Sequence, residues 1–436
     1  MTGVKRILLE CTGTRENDAK TGVQRVVRSI IKESPVLAKD FNVKSVPVIL
    51  KFNHFWCEDK KSNAKSFWPQ LRFFLKRAYL AVRSLIMWLS PSGRIEEVLL
   101  SYGNRLLTIL YKMFDIILYP AALMVYFKQK IVPGKGDILL LLDSSWVYPI
   151  WPAVRKAKEN GAAIGLVVYD LIQITHRDFF SPAITQRFTI WFEESIKHVD
   201  FFIGISKTVQ VEIQKYLQQN HPQYLSKSRL DSFFLGCELD NVAKNGTVRS
   251  ELKVLFEKCD IYVTVGTIEP RKNHKYLLDA FDLIWNQGFD IILCIIGKVG
   301  WRNEQVWDRI LKHPKLRKNL FVYNDINDTE LNYCYEHSKA LIFPSLAEGF
   351  GLPIVESLYN GLPVIASDIP IHREVGKDFC TYFDISDTTC LAKIIINIEK
   401  TGKMPQVRSH LECDLPKWKD SCRELFSKAI ALSEKI

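Results

Sequence analysis

Two glutamates, Glu348 and Glu356, bracket a Gly-Phe-Gly turn in the stretch PSLAEGFGLPIVES, residues 344–357. The preceding KALIFPS reads as a short buried strand, and LPIVESLYNG as a helix closed by Gly361. A helix starting near Leu352 leaves its first amides unpaired and carries a partial positive charge, which suits a phosphate. Gly349 and Gly351 let the backbone approach such a group closely. Glu356, in the second turn, sits about 6 Å further along the axis at about 1.5 Å per residue. The two carboxylates then flank the anion and are free to accept hydrogen bonds from hydroxyls on either side of it. A nucleotide sugar offers that order: sugar, diphosphate, ribose. Taken alone, the turn also fits a plainer reading, with Glu348 as an N-terminal helix charge and Glu356 as a solvated helix residue.

A second stretch, VTVGTIEPRKNHKYLLDAF, residues 263–281, reads as a strand, a turn with Pro270 and a helix starting near Asn273. It delivers Arg271 and Lys272 to the carboxyl end of the strand. Arginine grips phosphate oxygens bidentately and lysine acts as a point charge, so the pair can neutralise a departing diphosphate without a metal. Oriented groups of this kind are worth about 3 to 4 kcal/mol each in a transition state. The alternative for this stretch alone is an ordinary surface Arg-Lys pair.

The elements that position these residues alternate strand and helix twice over. KRILLEC, VKSVPVIL, DILLLLD, AIGLVVYD and DFFIGIS are strands of a first half; IYVTVGT, DIILCIIGK, NLFVYND, KALIFPS and LPVIASD are strands of a second. Amphipathic helical patterns lie between them, which predicts α/β architecture: two doubly wound, Rossmann-like domains, each a parallel sheet covered by helices. The predicted domains are 1–240, with a helical insertion at about 58–130, and 241–415. Residues 416–436 form a helix that returns toward the first domain. Ligands of such sheets bind beyond the carboxyl ends of the strands, in the cleft between facing domains. Polar groups come directly after strands at the Thr12–Gly22 loop, at Tyr169 and Asp170, at Ser206 and Lys207, at Glu269–Asn273, at Lys298 and at Glu348–Gly351.

At 436 residues and 47% hydrophobic, the chain is long enough for two cores. Ten cysteines are scattered without a C-x-x-C pair or zinc spacing, so neither a disulfide framework nor a metal site is expected, and a reducing cytoplasm fits. The N-terminus does not read as a signal peptide. The net charge of +11 is uneven: residues 58–130 carry twelve Lys or Arg against five acids. There, FWPQLRFFLKRAYLAVRSLIMWL and LLTILYKMFDIILYPAALMVYF interleave aliphatic and aromatic residues with single basic ones. Neither run is free of charge over the roughly 20 residues a spanning helix needs. An interfacial segment on an anionic membrane surface is the favoured reading, with Lys76, Arg77, Arg83 and Arg105 at the headgroups. A helical hairpin packed on its own domain is the alternative. Nucleic acid is disfavoured, because the basic residues form no polar stripe.

The two C-terminal stretches, with SDIPIHREVG after the second, resemble glycosyltransferase family 4, retaining enzymes of the GT-B fold that take nucleotide-sugar donors without a metal. The likeness is dense from about 260 to 385 and thinner in TGVQRVVRSI, VVYDLIQITH, FFIGISKTVQVEI and FFLGCELD. It implies that Glu348 contacts donor-sugar hydroxyls, Glu356 the ribose, and Arg271 and Lys272 the diphosphate. Gly349, Phe350, Gly351 and Leu352 complete the cradle, with Gly266, Thr267 and Gly22 also on the donor side. Asp170 sits on the acceptor side with Tyr169 and His176. Two positions depart from the family pattern: Tyr169 stands where many members have His, which leaves its role open, and Thr267 comes after Gly266 where many have Arg.

The resemblance further implies front-face attack through an oxocarbenium-like state, with the leaving phosphate helping to accept the acceptor's proton. Closure about a linker near 237–259 excludes water. No cofactor or metal is expected beyond the nucleotide-sugar co-substrate, with GDP-mannose favoured. The acceptor is a growing surface glycan or a lipid-linked saccharide of O-antigen or capsule type, handled at the inner face of the cell membrane within a possible glycan-assembly complex. A non-catalytic glycan-binding or scaffold subunit and a sugar-nucleotide epimerase are the alternatives.

Overall fold

A computed structural model of the chain describes residues 3–16, 21–57, 129–225, 229–239, 246–258, 260–404 and 415–435. Residues 58–128, which hold nearly all of the basic, apolar segment expected at a membrane, lie outside the described residues, as does the expected domain boundary near 240. Among the described residues no helix is long and apolar enough to cross a membrane. The chain divides into two compact units, one of residues 1–46 and 133–436, the other of residues 47–132.

The first eight strands are β1 (Arg6–Glu10), β2 (Lys44–Lys51), β3 (His54–Cys57), β4 (Gln129–Ile131), β5 (Asp137–Leu141), β6 (Ala163–Val168), β7 (Phe201–Gly204) and β8 (Arg229–Ser232). Within the larger unit, β1, β5, β6, β7 and β8 run parallel in that order, with Leu8 beside Leu139 and Leu140 beside Gly165. Gly165 is required there, since a Cβ would lie 2.3 Å from the Phe201 ring. β2 starts on the other side of β1, where the Lys44 N–H donates to Lys5 O at 2.9 Å. The order of this sheet therefore reverses between β1 and β5. In the smaller unit, β2 pairs antiparallel with β3, and β3 with β4, placing Ile49 opposite Trp56 and Phe55 opposite Ile131.

A second sheet in the larger unit holds β9 (Ile261–Val265), β10 (Ile292–Ile296), β11 (Leu320–Tyr323), β12 (Ala340–Phe343), β13 (Val364–Ser367) and β14 (Cys380–Phe383). It is parallel throughout, in the order β11-β10-β9-β12-β13-β14. Its chain order reverses between β9 and β12. β10, β12 and β13 are buried along their whole length, as strands covered by helices on both faces must be. These two sheets and their helices form the first and second lobes.

The C-terminal helix Trp418–Ser433 buries Cys422, Leu425, Phe426, Ala429 and Ile430, the three-and-four spacing of a helix with one apolar stripe. That stripe lies on the first lobe's Gly22–Asp40 helix: Cys422 Sγ approaches Ile30 O at 3.7 Å, and the Phe426 ring meets Phe41 at 6.3 Å. Each fully buried Leu or Phe there contributes about 1.5 to 3 kcal/mol. The Trp418 N–H donates to Glu238 Oε2 at 2.8 Å, and its backbone passes so close to Gly236 that a Cβ there would lie 2.5 Å from Trp418 N.

Candidate active site

Both reversal points, the places where doubly wound sheets take ligands, carry charged groups. At the second, β9 ends at Val265, and a single 3₁₀ turn, Pro270–Lys272, precedes the His274–Asn286 helix through Asn273 at φ 56°. The Leu346 N–H donates to Arg271 O at 2.7 Å, tying this turn to the loop that leaves β12. Arg271 Nη1 donates to Glu348 Oε2 at 2.5 Å and to Ala347 O at 3.2 Å, while its Nε lies 2.6 Å from Glu269 Oε1. Lys272 Nζ donates to the other Glu348 oxygen and lies 4.9 Å above the Phe343 ring.

Burial alone would raise the Glu348 carboxyl, but Arg271 and Lys272 outweigh it and hold it at about 2. Burial lowers the Lys272 ammonium in spite of Glu348. For Asp170, across the lobe boundary, burial raises the carboxyl against the pull of Arg271. Gly266 is part of this cluster, because a Cβ on it would meet Lys272 Cε at 3.3 Å. Thr267 turns its methyl toward Gly300, whose Cβ would lie 2.7 Å away.

The two glycines of the turn serve different ends. Gly351 has φ +94° and begins the Leu352–Tyr359 helix in a left-handed conformation. Gly349 is not left-handed. A Cβ on it would lie 1.9 Å from Tyr169 O, so its missing side chain admits the first lobe's backbone, a reason distinct from close approach to a phosphate. Ser206 Oγ donates to Gly349 O at 2.9 Å, and Phe350 packs edge-on against Phe234 at 4.6 Å. Glu374 adds a further tie. Its carboxylate caps the Lys207–Asn220 helix, accepting from Lys207 N at 2.6 Å and from Thr208 N at 2.7 Å.

Glu356 is 2% exposed. One oxygen accepts from Tyr335 OH at 2.9 Å and the other is ion-paired with Arg25 of the first lobe, whose Nη2 lies 3.6 Å from Asp328. Gly22 rests on Leu352, 3.7 Å from a Cβ position to the leucine Cδ1. Neither glutamate is therefore free in the way the sequence suggested: each is held by cations, Glu348 from its own lobe and Glu356 from the other.

Two of the residues expected on the acceptor side, Tyr169 and His176, make their contacts within the first lobe. Tyr169 donates its hydroxyl to Leu142 O at 2.7 Å, inside the first lobe. His176 is exposed, with Nδ1 beside Thr175 Oγ1 at 2.9 Å and its ring stacked on Phe179. Asp170 accepts from Ile172 N at 3.1 Å. The first lobe's reversal point instead gathers Glu10 and Asp143. Glu10 accepts from Thr12 N at 2.8 Å and from Tyr148 OH at 2.7 Å; Asp143 accepts from Thr14 N at 2.5 Å, with Gly13 packed on it. Burial, reinforced by Asp143, pushes Glu10 up to about 7.

The sequence reading missed Arg25, Tyr335, Asp328, Glu10, Asp143 and a buried His372, and it placed Glu269 after its strand without giving it a partner. A signal existed for Arg25, since a cation in the first turn of a helix opposes the helix dipole and calls for a partner. His372 is fully buried, and among the described residues its Nε2 has no partner, a state that costs about 1 to 3 kcal/mol if nothing fills it.

Residues 250–409 match the family model described as "Glycosyl transferases group 1". The chain is 31% identical over 276 residues to the serotype-specific mannosyltransferase WbdA of Escherichia coli, covering 61% of this chain and 34% of that one. It is 24% identical over 236 residues to the O-antigen chain mannosyltransferase RfbU of Salmonella typhimurium, covering 54% and 60%. It thus spans about a third of the length of WbdA. Among solved structures, Anabaena Alr3699/HepE in complex with UDP and glucose superposes with a TM-score of 0.52 at 12% identity, over 99% of this chain and 98% of that one. A glycosyltransferase from Rickettsia africae superposes with 0.50 at 14% identity, over 99% and 96%. The chain has the two-lobed GT-B fold, and the second lobe is the part that matches the glycosyl transferases group 1 model.

Proposed function

We propose that the protein transfers a hexose, mannose from GDP-mannose, with retention of configuration onto a surface-glycan or lipid-linked saccharide acceptor. The observation that carries this reading is the convergence of Arg271 and Lys272 on Glu348 beside the glycine-led start of the Leu352–Tyr359 helix. A diphosphate arriving there meets two oriented cations and the Leu352 amide at the helix start, Pro353 having no N–H and Ile354 N–H being given to Gly351 O, and it takes over charge now balanced by Glu348. The displaced carboxylate is then available to the sugar hydroxyls, and Glu356 reaches the ribose once its Arg25 or Tyr335 contact gives way. No metal is invoked, since the two cations supply the charge that the leaving group needs. Similarity to WbdA and RfbU supports mannose and O-antigen-type acceptors.

Attack from the front face, with the leaving phosphate taking the acceptor's proton, asks nothing of the Tyr169 hydroxyl, which is engaged inside its own lobe. Residues 58–130 hold the enzyme at the inner face of the cell membrane, near its acceptor and its partners in glycan assembly.

A thermal-shift panel of nucleotide sugars tests the reading, because a ligand at about a hundred times its Kd adds roughly 2.7 kcal/mol of stability. A response to GDP-mannose alone supports it. A response to no nucleotide sugar refutes it, and a response to another sugar nucleotide refutes the choice of mannose.

A further inference from the structure

His372 lies on the Pro370–Gly376 helix, which comes after β13, and its side chain is completely buried. Two contacts fix which ring nitrogen carries the proton. Nδ1 is 3.0 Å from Ser367 O, a carbonyl that can only accept. It is also 3.0 Å from Ser367 Oγ, whose own proton is given to Ser345 O at 2.6 Å. Nδ1 is therefore the donor in both contacts, and in the neutral ring Nε2 bears a lone pair. Burial lowers the ring to about 4, so it is neutral at physiological pH.

That lone pair is buried and has no hydrogen-bond partner among the described residues. The Cδ2 atom bonded to Nε2 faces Gly351, 3.7 Å from where a Cβ on that glycine would stand, and the ring packs on Phe343 with centroids 5.1 Å apart. Phe343 is the ring beneath Lys272, and the His372 ring feels the charges of both Glu348 and Lys272. The lone pair thus belongs to the neighbourhood of the Glu348–Gly351 turn. Phosphate oxygens cannot satisfy it, because an ionised diphosphate brings no hydrogen to donate. A hydroxyl can.

We propose that His372 Nε2 accepts a hydrogen bond from a hydroxyl of the transferred sugar, which makes it a specificity-determining residue of the donor site. The assignment rests on the nucleotide-sugar reading above and deepens it, by giving the sugar a recognition group distinct from those that hold the diphosphate.

The test compares Kd values of the full-length protein for GDP and for GDP-mannose. His372→Asn rebuilds the donor to Ser367 but lacks an acceptor at the Nε2 position. His372→Gln places an amide oxygen near that position. The asparagine variant should bind GDP-mannose about tenfold more weakly with GDP affinity within about twofold, as expected when a site built to pair a substrate hydroxyl loses its partner group. The glutamine variant should recover part of that loss. Equal loss for both ligands, or no loss for either, in a folded variant overturns the assignment. A wild-type protein that binds GDP but not GDP-mannose more tightly than GDP-glucose leaves the histidine without a discriminating role and also overturns it. Wild-type protein that binds no nucleotide at all refutes the parent reading as well.

Discussion

The two sheets present opposite chemistry at their reversal points. Where β9 and β12 part, Arg271 and Lys272 face Glu348 and Glu269, and the carboxyl of Glu348 is held down at about 2. Where β1 and β5 part, Glu10 and Asp143 sit together with backbone amides and the Tyr148 hydroxyl for company, and Glu10 is pushed up to about 7. The same topology thus gathers two cations at one reversal point and two acids at the other. The difference arises from the residues at the strand ends. A Pro-Arg-Lys turn delivers two cations at the second sheet, whereas the first sheet's own strand ends deliver acids. On the proposed function, the cationic site suits a diphosphate and the acidic one a neutral, hydroxyl-rich molecule.

Four substitutions break or sharpen this contrast. Arg25→Met removes the cation that the first lobe lends to Glu356 and leaves that carboxylate buried near Asp328. Loss of one partner of a buried pair costs about 3 to 5 kcal/mol, so urea unfolding should shift markedly, and adding Glu356→Gln should restore part of the loss. Glu10→Gln acts at the other reversal point and should show itself through pH. The folded carboxyl holds its proton up to about 7, while the unfolded one releases it near 4.5. Stability from this group is therefore present at low pH and falls as pH rises through that window. The shift corresponds to roughly 3 kcal/mol at about 1.36 kcal/mol per unit. Denaturation at pH 5 and pH 8 should differ less in Glu10→Gln than in the parent.

Lys272→Ala should lower sugar transfer about a hundredfold, the scale of one lost oriented donor, in an assay with GDP-mannose; unchanged turnover would rule out the cation site. The smallest effect belongs to Gly349→Ala. Its methyl meets Tyr169 O, and overpacking of this kind costs about 1 to 3 kcal/mol. Thermal unfolding should fall accordingly, and a neutral result would mean that the lobes part more readily at this point than Ser206 and Glu374 suggest.

The second sheet was largely readable from sequence, because β10 and β12 are unbroken apolar runs, and β9 and β13 are interrupted only by Thr264 and Ser367. β8 and β14 were not: RLDS and CTYF are short, outermost in their sheets and only partly buried, so neither alternation nor an apolar run marks them. Arg271, Lys272 and Glu348 could be named because each lies just beyond a strand. Their mutual ion pairs could not, since spacing places a side chain at a site without saying what it touches. Arg25 and Glu356 are separated by 331 positions, and Gly349 owes its identity to a carbonyl of the other lobe. His372 was invisible for the same reason: its tautomer depends on a serine whose proton is already committed elsewhere.

If the cations after β9 and the amides opening the Leu352–Tyr359 helix together receive a diphosphate, a crystal structure of the protein with bound GDP will show it. Phosphate oxygens are expected within hydrogen-bonding distance of Arg271, Lys272 and the Leu352 amide, with Glu348 released from at least one cation. A diphosphate bound elsewhere, with both ion pairs to Glu348 intact, would contradict the proposed donor site.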